Sequence, residues 1–285
     1  MNILSLFDGM SCGRIAADRA GINVENYYAS ELDKYAIKVT QTNWPATIQL
    51  GDVTKWREWD IDWSSIDLLI GGSPCQGFSF AGKQLAFDDP RSKLFFVYVD
   101  ILNHIKSANP DVKFMLENVK MKKEYLDVIS NLLGVQPVFI NSALVSAQNR
   151  QRYYWANWDF VAPNDTGVCW GDIRENNAPE CHYYTEKGLA WIKRHSERTG
   201  KKLRIWTSDG KCQMLEASMF KNYSGQRFFA VDDIKGLRYI SLLECERAQT
   251  VPDNYTNHVS NTQRYKMLGN GWTVDVIAHI FSGIS

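Results

Sequence analysis

The chain has 285 residues, of which 45% are hydrophobic and 22% charged, with a formal net charge of zero. These totals are ordinary for a globular protein of one large domain, or of a large and a small one, and they do not by themselves indicate a nucleic-acid binder. No apolar run reaches the roughly 18 residues of a membrane span, and six scattered cysteines without zinc-ligand spacing argue against a disulfide framework or a metal site. We therefore expect a cytoplasmic protein with reduced thiols and no membrane association.

The first segment has the pattern of a strand, a glycine-bearing turn and a helix. Residues 2–7 predict a strand, residues 7–13 a turn, and residues 14–20 a helix that Gly21 ends. This order is the nucleotide-binding opening of a doubly wound sheet, where backbone N–H groups can approach a ligand. The spacing differs from the dinucleotide G-x-G-x-x-G pattern, so an ordinary strand–helix turn remains an alternative.

Three predicted strands each end in an acidic residue. Asp8 follows the first strand, Glu31 ends the second (residues 24–30), and Asp52 follows the third (residues 48–50). An acid after the second strand is placed to bind ribose hydroxyls, and Asp52 can accept from the exocyclic amine of an adenine. Together they predict an adenosine-type site. A cap or surface acid for the helix predicted at 33–43 is the alternative for Glu31.

A cysteine follows the fourth predicted strand. The apolar run 66–70 breaks at Gly71-Gly72 and leads to Pro74 and Cys75, at the edge where open α/β sheets gather ligands. A lone cysteine is more often a buried small hydrophobe beside a turn. The glycine-bearing loop that follows, to about residue 91, also carries polar residues that can meet phosphate or base edges: Gln76, Ser79 and Lys83.

The fifth predicted strand adds another acid. Residues 112–116 end at Glu117, so Cys75 and Glu117 should converge on one crevice. A core helix is predicted at 94–105, and a helix at 124–133 and a strand at 135–140 follow. Arg150 and Arg152 alternate, so on a strand they would share one face. A pair of surface arginines is the alternative.

From residue 159 to 238 the periodicity weakens. Within it, residues 186–227 carry ten basic and four acidic side chains, interleaved with aromatics. Such a segment suits contact with nucleic acid, although a solvated basic face or a small aromatic core would use the same residues. We predict a large domain of residues 1–158 plus 239–285 and a small irregular domain of 159–238. In the large domain, 242–249 is a helix and 267–274 a loop before the C-terminal helix.

These stretches, in this order, resemble the DNA (cytosine-5-)-methyltransferase family. The quoted matches are Phe7-Asp8-Gly9, Glu31, Gly51-Asp52, Gly72-Ser73-Pro74-Cys75-Gln76, Glu117-Asn118-Val119, residues 148–152, residues 242–249 and Gly269-Asn270. The motif sequences are closest to those of the animal de novo DNA methyltransferases. The first strand begins without a preceding regulatory domain, which resembles a stand-alone bacterial or phage enzyme. The resemblance implies an α/β fold: a doubly wound, mostly parallel Rossmann-like methyltransferase sheet with a small irregular target-recognition domain at 159–238.

The resemblance also implies ligands and partners. S-adenosyl-L-methionine would be the methyl donor, S-adenosyl-L-homocysteine the product, and no metal would take part. Double-stranded DNA would be the substrate, contacted by Gln76, Ser79 and Lys83, while self-association and a cognate restriction endonuclease stay open. The final loop reads Gly-Asn-Gly-Trp where the family usually has Gly-Asn-Ser. The implied donor-binding residues are Phe7, Asp8, Gly9, Met10, Cys12, Glu31, Asp52, Val53, Pro74, Asn270 and Trp272.

The chemistry assigns roles to four side chains. Carbon 5 of cytosine is a poor nucleophile, and addition of the Cys75 thiolate to carbon 6 would activate it. Glu117, held protonated, would donate to ring nitrogen 3. Arg152 would bind the carbonyl oxygen, with Arg150 positioning that oxygen or a phosphate. The base must first leave the duplex, and the loop 76–91 would close over it.

Three other functions would share part of this pattern. A tRNA cytosine-5 methyltransferase shares the Pro-Cys-Gln stretch, but its Cys-Phe-Thr signature is absent here. A non-catalytic DNA-binding relative should have lost Pro74-Cys75 or Glu117, and this chain keeps them. A nicotinamide-dependent oxidoreductase would share the opening segment but has no use for the cysteine, the glutamate and the two arginines.

Overall fold

A computed structural model describes residues 1–73, 93–224 and 229–284. Its strands are β1 (Asn2–Leu6), β2 (Asn26–Ser30), β3 (Ile48–Gln49), β4 (Leu68–Gly71), β5 (Lys113–Val119), β6 (Val138–Asn141), β7 (Gln148–Asn149), β8 (Gln151–Ala156), β9 (Arg204–Trp206), β10 (Cys212–Gln213), β11 (Phe229–Asp233) and β12 (Gly236–Arg238). Its α-helices are α1 (Cys12–Arg19), α2 (Lys34–Asn43), α3 (Lys93–Ala108), α4 (Lys123–Leu133), α5 (Trp170–Ile173), α6 (Glu186–Thr199), α7 (Leu242–Ala248), α8 (Asn261–Asn270) and α9 (Val274–Phe281). None of these helices is long and apolar enough to cross a membrane.

The chain divides into two compact units. The first unit contains Met1–Asn141, Gln151–Asn164 and Val274–Ser285, and the second contains Ser142–Arg150 and Asp165–Thr273. This division differs from the predicted domains, because residues 142–150 and 239–273 belong to the second unit and residues 159–164 to the first. There β7 pairs with β10, and Gln148 donates to the Ala248 carbonyl, so both segments are bonded within that unit. A recognition role for 159–238 stays a prediction.

A seven-stranded sheet forms the first unit, in the order β3-β2-β1-β4-β5-β8-β6. All neighbouring pairs are parallel except those of β8, which runs antiparallel to β5 and β6. The predicted mostly parallel, doubly wound sheet is therefore confirmed. Every residue of β4 is buried, which explains why this strand reads as an unbroken apolar run and not as an alternation.

The end of β4 is packed directly against α3. A Cβ atom at Gly71 would lie 3.1 Å from the Tyr98 ring and 3.2 Å from the Leu6 carbonyl oxygen, so any larger residue would need these neighbours to shift. The Tyr98 hydroxyl in turn donates to the Met115 carbonyl at 3.1 Å. The position from which the chain continues toward Cys75 is thus set by a helix and by a neighbouring strand.

The second unit is built around small sheets and a buried ion cluster. One sheet has the order β12-β11-β9, and β10 pairs with β7. Arg238 is fully buried and donates to both carboxylate oxygens of Glu244, at 2.9 and 2.6 Å, while also pairing with Asp233. Glu244 caps α7 together with Ser241. Because breaking such a pair leaves a buried charge, this cluster fixes β12 to α7.

Local predictions differ from the structure at three points. The predicted loop 267–274 begins as helix, because α8 continues to Asn270. The predicted strand 112–116 continues to Val119, so Glu117 lies in β5 two residues before its end. Arg150 and Arg152 do not share a strand face, because the chain leaves β7 at Arg150 before β8 begins. β7 and β8 belong to different sheets, so the two-residue alternation does not run through this segment.

Candidate active site

The acid-bearing ends of β1, β2 and β3 meet at one edge of the sheet. The Gly9 N–H donates to Glu31 Oε2 at 2.7 Å, which joins the turn after β1 to the end of β2. The Ser30 hydroxyl donates to the Gly51 carbonyl at 2.7 Å, which joins β2 to the segment after β3. The carboxyl edge of a parallel sheet therefore carries Asp8, Glu31 and Asp52 side by side, as an adenosine-type ligand requires.

The turn after β1 has an unusual backbone. Phe7, Gly9 and Ser11 alternate in the left-handed region, with φ of 58°, 61° and 60°. Non-glycine residues there carry strain on the order of 1 kcal/mol, and such strain clusters at ligand sites. A Cβ atom at Gly9 would meet nothing within 4 Å, so the turn borders open space. These features fit a site for a nucleoside-type donor; Met10 and Cys12, also predicted to line it, are buried.

Asp8 is the most perturbed acid at this edge. Tyr27 donates to its Oδ1 at 2.7 Å, and the Ser11 hydroxyl donates to its Oδ2. Burial raises the pKa of Asp8 from 3.8 to about 6, the neighbouring Glu31 charge adds to the rise, and the hydroxyl donors oppose it. The protonated form is therefore favoured by folding in mildly acidic solution.

Asp8 should make the stability of the protein pH-dependent. The folded protein holds a proton on Asp8 between pH 3.8 and about 6 that the unfolded chain has released, so stability falls as pH rises through this window. The loss is about 1–3 kcal/mol, since the carboxyl keeps some solvent contact. Urea unfolding at pH 4, 5, 6 and 7 should show this fall in the wild type and not in Asp8→Asn. Asp18→Asn, at an exposed position, should behave as wild type, and parallel profiles for wild type and Asp8→Asn would refute the assignment.

Asp52 caps the 3-10 helix Val53–Glu58. Its Oδ1 accepts from the Thr54 N–H at 2.9 Å and from the Thr54 hydroxyl at 2.8 Å. These two bonds lower the pKa of Asp52, so the side chain is a carboxylate at neutral pH. Both bonds use Oδ1, which leaves Oδ2 as the acceptor for an amine, while the neighbouring Val53 is buried.

Glu117 and Arg152 form an ion pair in the first unit. Glu117 faces Tyr154 across the β5–β8 ladder and Arg152 faces Val119, so the two charged residues are diagonal neighbours on one sheet face. Arg152 Nε lies 2.6 Å from Glu117 Oε1, and each side chain is 10% exposed. A carboxyl group and a guanidinium are thus held together, with water largely removed.

The chain leading to Cys75 is tied to the same strand. The Asn118 side chain donates to the Ser73 hydroxyl at 3.2 Å, and both residues are buried. This contact joins the end of the β4 segment to the residue after Glu117. This contact was not predicted, although a polar residue at the end of each apolar strand was a usable signal. The predicted site residues Pro74, Cys75, Gln76, Ser79 and Lys83 lie outside the described residues, so the convergence of Cys75 and Glu117 stays a prediction.

Arg150 has different surroundings from those the sequence suggested. It is 4% exposed, lies in the second unit and donates to three backbone carbonyls: Leu215 at 3.3 Å, Gly269 at 3.3 Å and Gly271 at 2.8 Å. Of the predicted donor-binding residues, Asn270 is the exposed last residue of α8 and Trp272 follows it, half-buried. Among the described residues, no cluster of His, Cys, Asp or Glu could hold a metal ion.

Two solved methyltransferase structures have the same fold as this chain. A methyltransferase of Entamoeba histolytica superimposes with a TM-score of 0.76 at 18% identity, covering 98% of this chain and 96% of the other. A DNMT2 mutant of Spodoptera frugiperda gives 0.71 at 22% identity, covering 98% of both chains. The fold is therefore that of the Rossmann-like methyltransferases.

The family follows from the sequence comparisons. The model of the C-5 cytosine-specific DNA methylase family matches residues 1–157 and 140–285. A type II methyltransferase of Lactococcus lactis subsp. cremoris is 31% identical, over 96% of this chain and 75% of the relative. The type II methyltransferase M.HhaI of Haemophilus parahaemolyticus is 28% identical, over 98% and 93%. This chain belongs to the C-5 cytosine-specific DNA methylase family, as its sequence motifs predicted, and it is a DNA cytosine-5 methyltransferase.

Proposed function

We propose that the enzyme transfers the methyl group of S-adenosyl-L-methionine to carbon 5 of a flipped-out cytosine in duplex DNA, through a covalent adduct on Cys75. The observation that carries the proposal is the Glu117–Arg152 ion pair. Asn118, the next residue of β5, bonds Ser73, which precedes Cys75 by two residues. A carboxyl group and a guanidinium on one sheet face suit the N3 and O2 edge of an extruded cytosine.

The side chains act in a fixed order. The Cys75 thiolate forms a bond to carbon 6 while Glu117, which pairs with Arg152 in the free enzyme and takes up a proton when the base binds, donates that proton to nitrogen 3, so that negative charge does not accumulate on the ring. Arg152 donates to O2 and stabilises the charge that develops there. The donor supplies an electrophilic methyl group. Loss of the carbon-5 proton to solvent then re-forms the ring double bond and expels Cys75 as a thiolate, and nitrogen 3 returns its proton to Glu117.

Most of the residues proposed to bind the methyl donor lie along the acid-bearing edge of the sheet. Glu31 would bind ribose hydroxyls, and Asp52 with Val53 would bind the adenine, with Phe7, Asp8, Gly9, Met10 and Cys12 along the turn. Support comes from the Gly9–Glu31 contact and the open space at Gly9. Pro74, Asn270 and Trp272 complete the proposed set.

Substrate class is tested with labelled donor. The enzyme is incubated with labelled S-adenosyl-L-methionine and either duplex DNA or tRNA, and DNA from cells that express it is sequenced after bisulfite treatment. The expected results are label incorporated into duplex DNA and cytosines in cellular DNA that resist bisulfite conversion. Label in tRNA alone would establish the tRNA alternative. The named relatives are type II methyltransferases, and a partner endonuclease and self-association remain part of the proposal.

Helix α6 offers a surface for DNA phosphates. Its 14 residues bury only Ile192, and Lys187, Arg194 and Arg198 follow one another at spacings of seven and four residues along the opposite, exposed face. Trp191 lies in the same stripe and stacks on His195, with ring centroids 4.7 Å apart. Like charges at neighbouring turns repel each other, so a polyanion that neutralises them is favoured.

Removing this stripe should lower the salt dependence of DNA binding. Each lost phosphate contact reduces the slope of log K against log salt by about 0.9, so the triple variant Lys187→Gln, Arg194→Gln, Arg198→Gln should lose roughly 2–3. Binding of duplex DNA is measured by fluorescence anisotropy from 50 to 300 mM salt. The control with the same charge change is Lys38→Gln, Lys55→Gln, Lys123→Gln, at exposed positions of the first unit. Equal slopes for the two triple variants would show that α6 does not contact DNA.

A further inference from the structure

A buried polar network holds the end of α8. The carbonyls of the last turn of a helix have no partner within the helix. Here Gln249 Nε2 donates to Leu268 at 2.6 Å and to Gly271 at 3.1 Å, and Arg150 donates to Gly269 and Gly271. The carbonyls on both sides of Asn270 are therefore bound by side chains that come from elsewhere in the second unit.

Gln249 is itself held in place. Its Oε1 accepts from Gln148 Nε2 at 2.9 Å and from the Thr273 hydroxyl at 3.0 Å. Gln148, Gln249 and Thr273 are each no more than 1% exposed. Because the amide nitrogen and the amide oxygen of Gln249 are both hydrogen-bonded, the orientation of its side chain is determined. The path of residues 268–273, which it contacts, is fixed with it.

The same network reaches the segment 215–217. Gln148 Oε1 accepts from the Leu215 N–H at 3.1 Å, and Arg150 donates to the Leu215 carbonyl. A Cβ atom at Gly269 would lie 2.1 Å from the Glu216 carbonyl carbon and 2.2 Å from the Ala217 nitrogen. The end of α8 thus packs backbone to backbone against a peptide of the predicted recognition region, a contact that only glycine permits.

We propose that Arg150 is a positioning residue for the methyl donor: with Gln249 and Thr273 it fixes the end of α8 and the loop after it, which carry Asn270 and Trp272. This inference rests on the proposed function, in which those two residues bind the donor. Arg150 then acts through the loop and does not touch the cytosine. Its planar guanidinium can donate to three carbonyls at once, which a lysine ammonium cannot reproduce in the same geometry.

Donor affinity separates this role from a base-contacting one. Arg150→Met should raise the dissociation constant of S-adenosyl-L-homocysteine, measured by calorimetry, and the KM for the donor roughly 10-fold or more. The kcat at saturating donor should stay within about threefold, because the reacting atoms keep their contacts. The donor affinity of Arg150→Lys should lie between those of wild type and Arg150→Met. Circular dichroism and thermal unfolding verify that each variant is folded.

A second pair of variants decides the matter if Arg150→Met does not fold. Thr273→Val keeps the side-chain shape but removes the hydroxyl donor to Gln249, and should weaken donor binding about fivefold. Thr273→Ser keeps the hydroxyl and should restore affinity to within about twofold. Two results would overturn the inference. One is an equal donor affinity of wild type, Thr273→Ser and Thr273→Val; the other is an Arg150→Met enzyme with normal donor affinity and a much reduced kcat. A wild-type enzyme that binds no S-adenosyl-L-homocysteine would instead refute the proposed donor.

Discussion

Cys75→Ala is expected to abolish methyl transfer, lowering the rate at least about 10⁴-fold, while donor binding remains within about twofold of wild type. The large effect follows because alanine offers no nucleophile for carbon 6, and without that addition carbon 5 does not become nucleophilic. Incorporation of labelled methyl groups into duplex DNA measures the first quantity, and calorimetry with S-adenosyl-L-homocysteine the second.

Covalent trapping tests the same sulfur directly. With 5-fluorocytosine in the target duplex, the carbon-5 proton is replaced by fluorine and the adduct cannot resolve. Wild type should form a stable protein–DNA adduct that peptide mapping assigns to Cys75, and Cys75→Ala should form none. Cys181→Ala, at an exposed position, is the matched control and should be trapped like wild type. Methylation by Cys75→Ala, or an adduct on another residue, would contradict the covalent mechanism.

The acid-bearing edge was predictable because its signals are local. Parallel strands buried on both faces give short apolar runs, and a polar residue directly after each run must lie at the carboxyl edge of the sheet. Glu31 illustrates this: it was expected at the end of the second strand, and there its Oε2 accepts from the Gly9 N–H of the turn after β1. Neither a long-range contact nor a rotamer had to be known.

Arg150 shows where local reasoning ends. Its alternation with Arg152 is a valid argument only within one continuous strand, and the chain changes sheets between them. What Arg150 binds is set by carbonyls more than 60 residues away, at Leu215 and beyond, which no local periodicity encodes. The grouping of residues 239–273 with the second unit is likewise not encoded locally, since hydrogen bonds such as that from Gln148 to Ala248 contribute to it.

Helix α6 was missed for a different reason. Amphipathic helices are recognised by a broad apolar stripe, and this one buries a single residue, so its pattern reads as polar and irregular. Its regularity is supported by local features instead. The Thr185 hydroxyl accepts from the Gly188 N–H at the start, and Gly200 ends the helix with a φ of 67°.

Glu117→Gln should slow methyl transfer by about 10²–10⁴-fold, because an amide cannot deliver a proton to nitrogen 3 as the thiolate adds. Adduct formation on 5-fluorocytosine DNA should slow in parallel, since both need the protonated ring.

Arg152→Met should slow transfer too, and it leaves the largely buried Glu117 without its cation, a change that costs about 3–5 kcal/mol of stability in comparable pairs. Because the two groups act on one ring in one step, the double variant should be little slower than the slower single variant. Asp275→Asn, which breaks the exposed Arg19–Asp275 pair, is the control and should leave kcat unchanged. Multiplicative losses in the double variant would mean that Glu117 and Arg152 act in separate steps, and wild-type turnover of Glu117→Gln would exclude Glu117 as the proton donor.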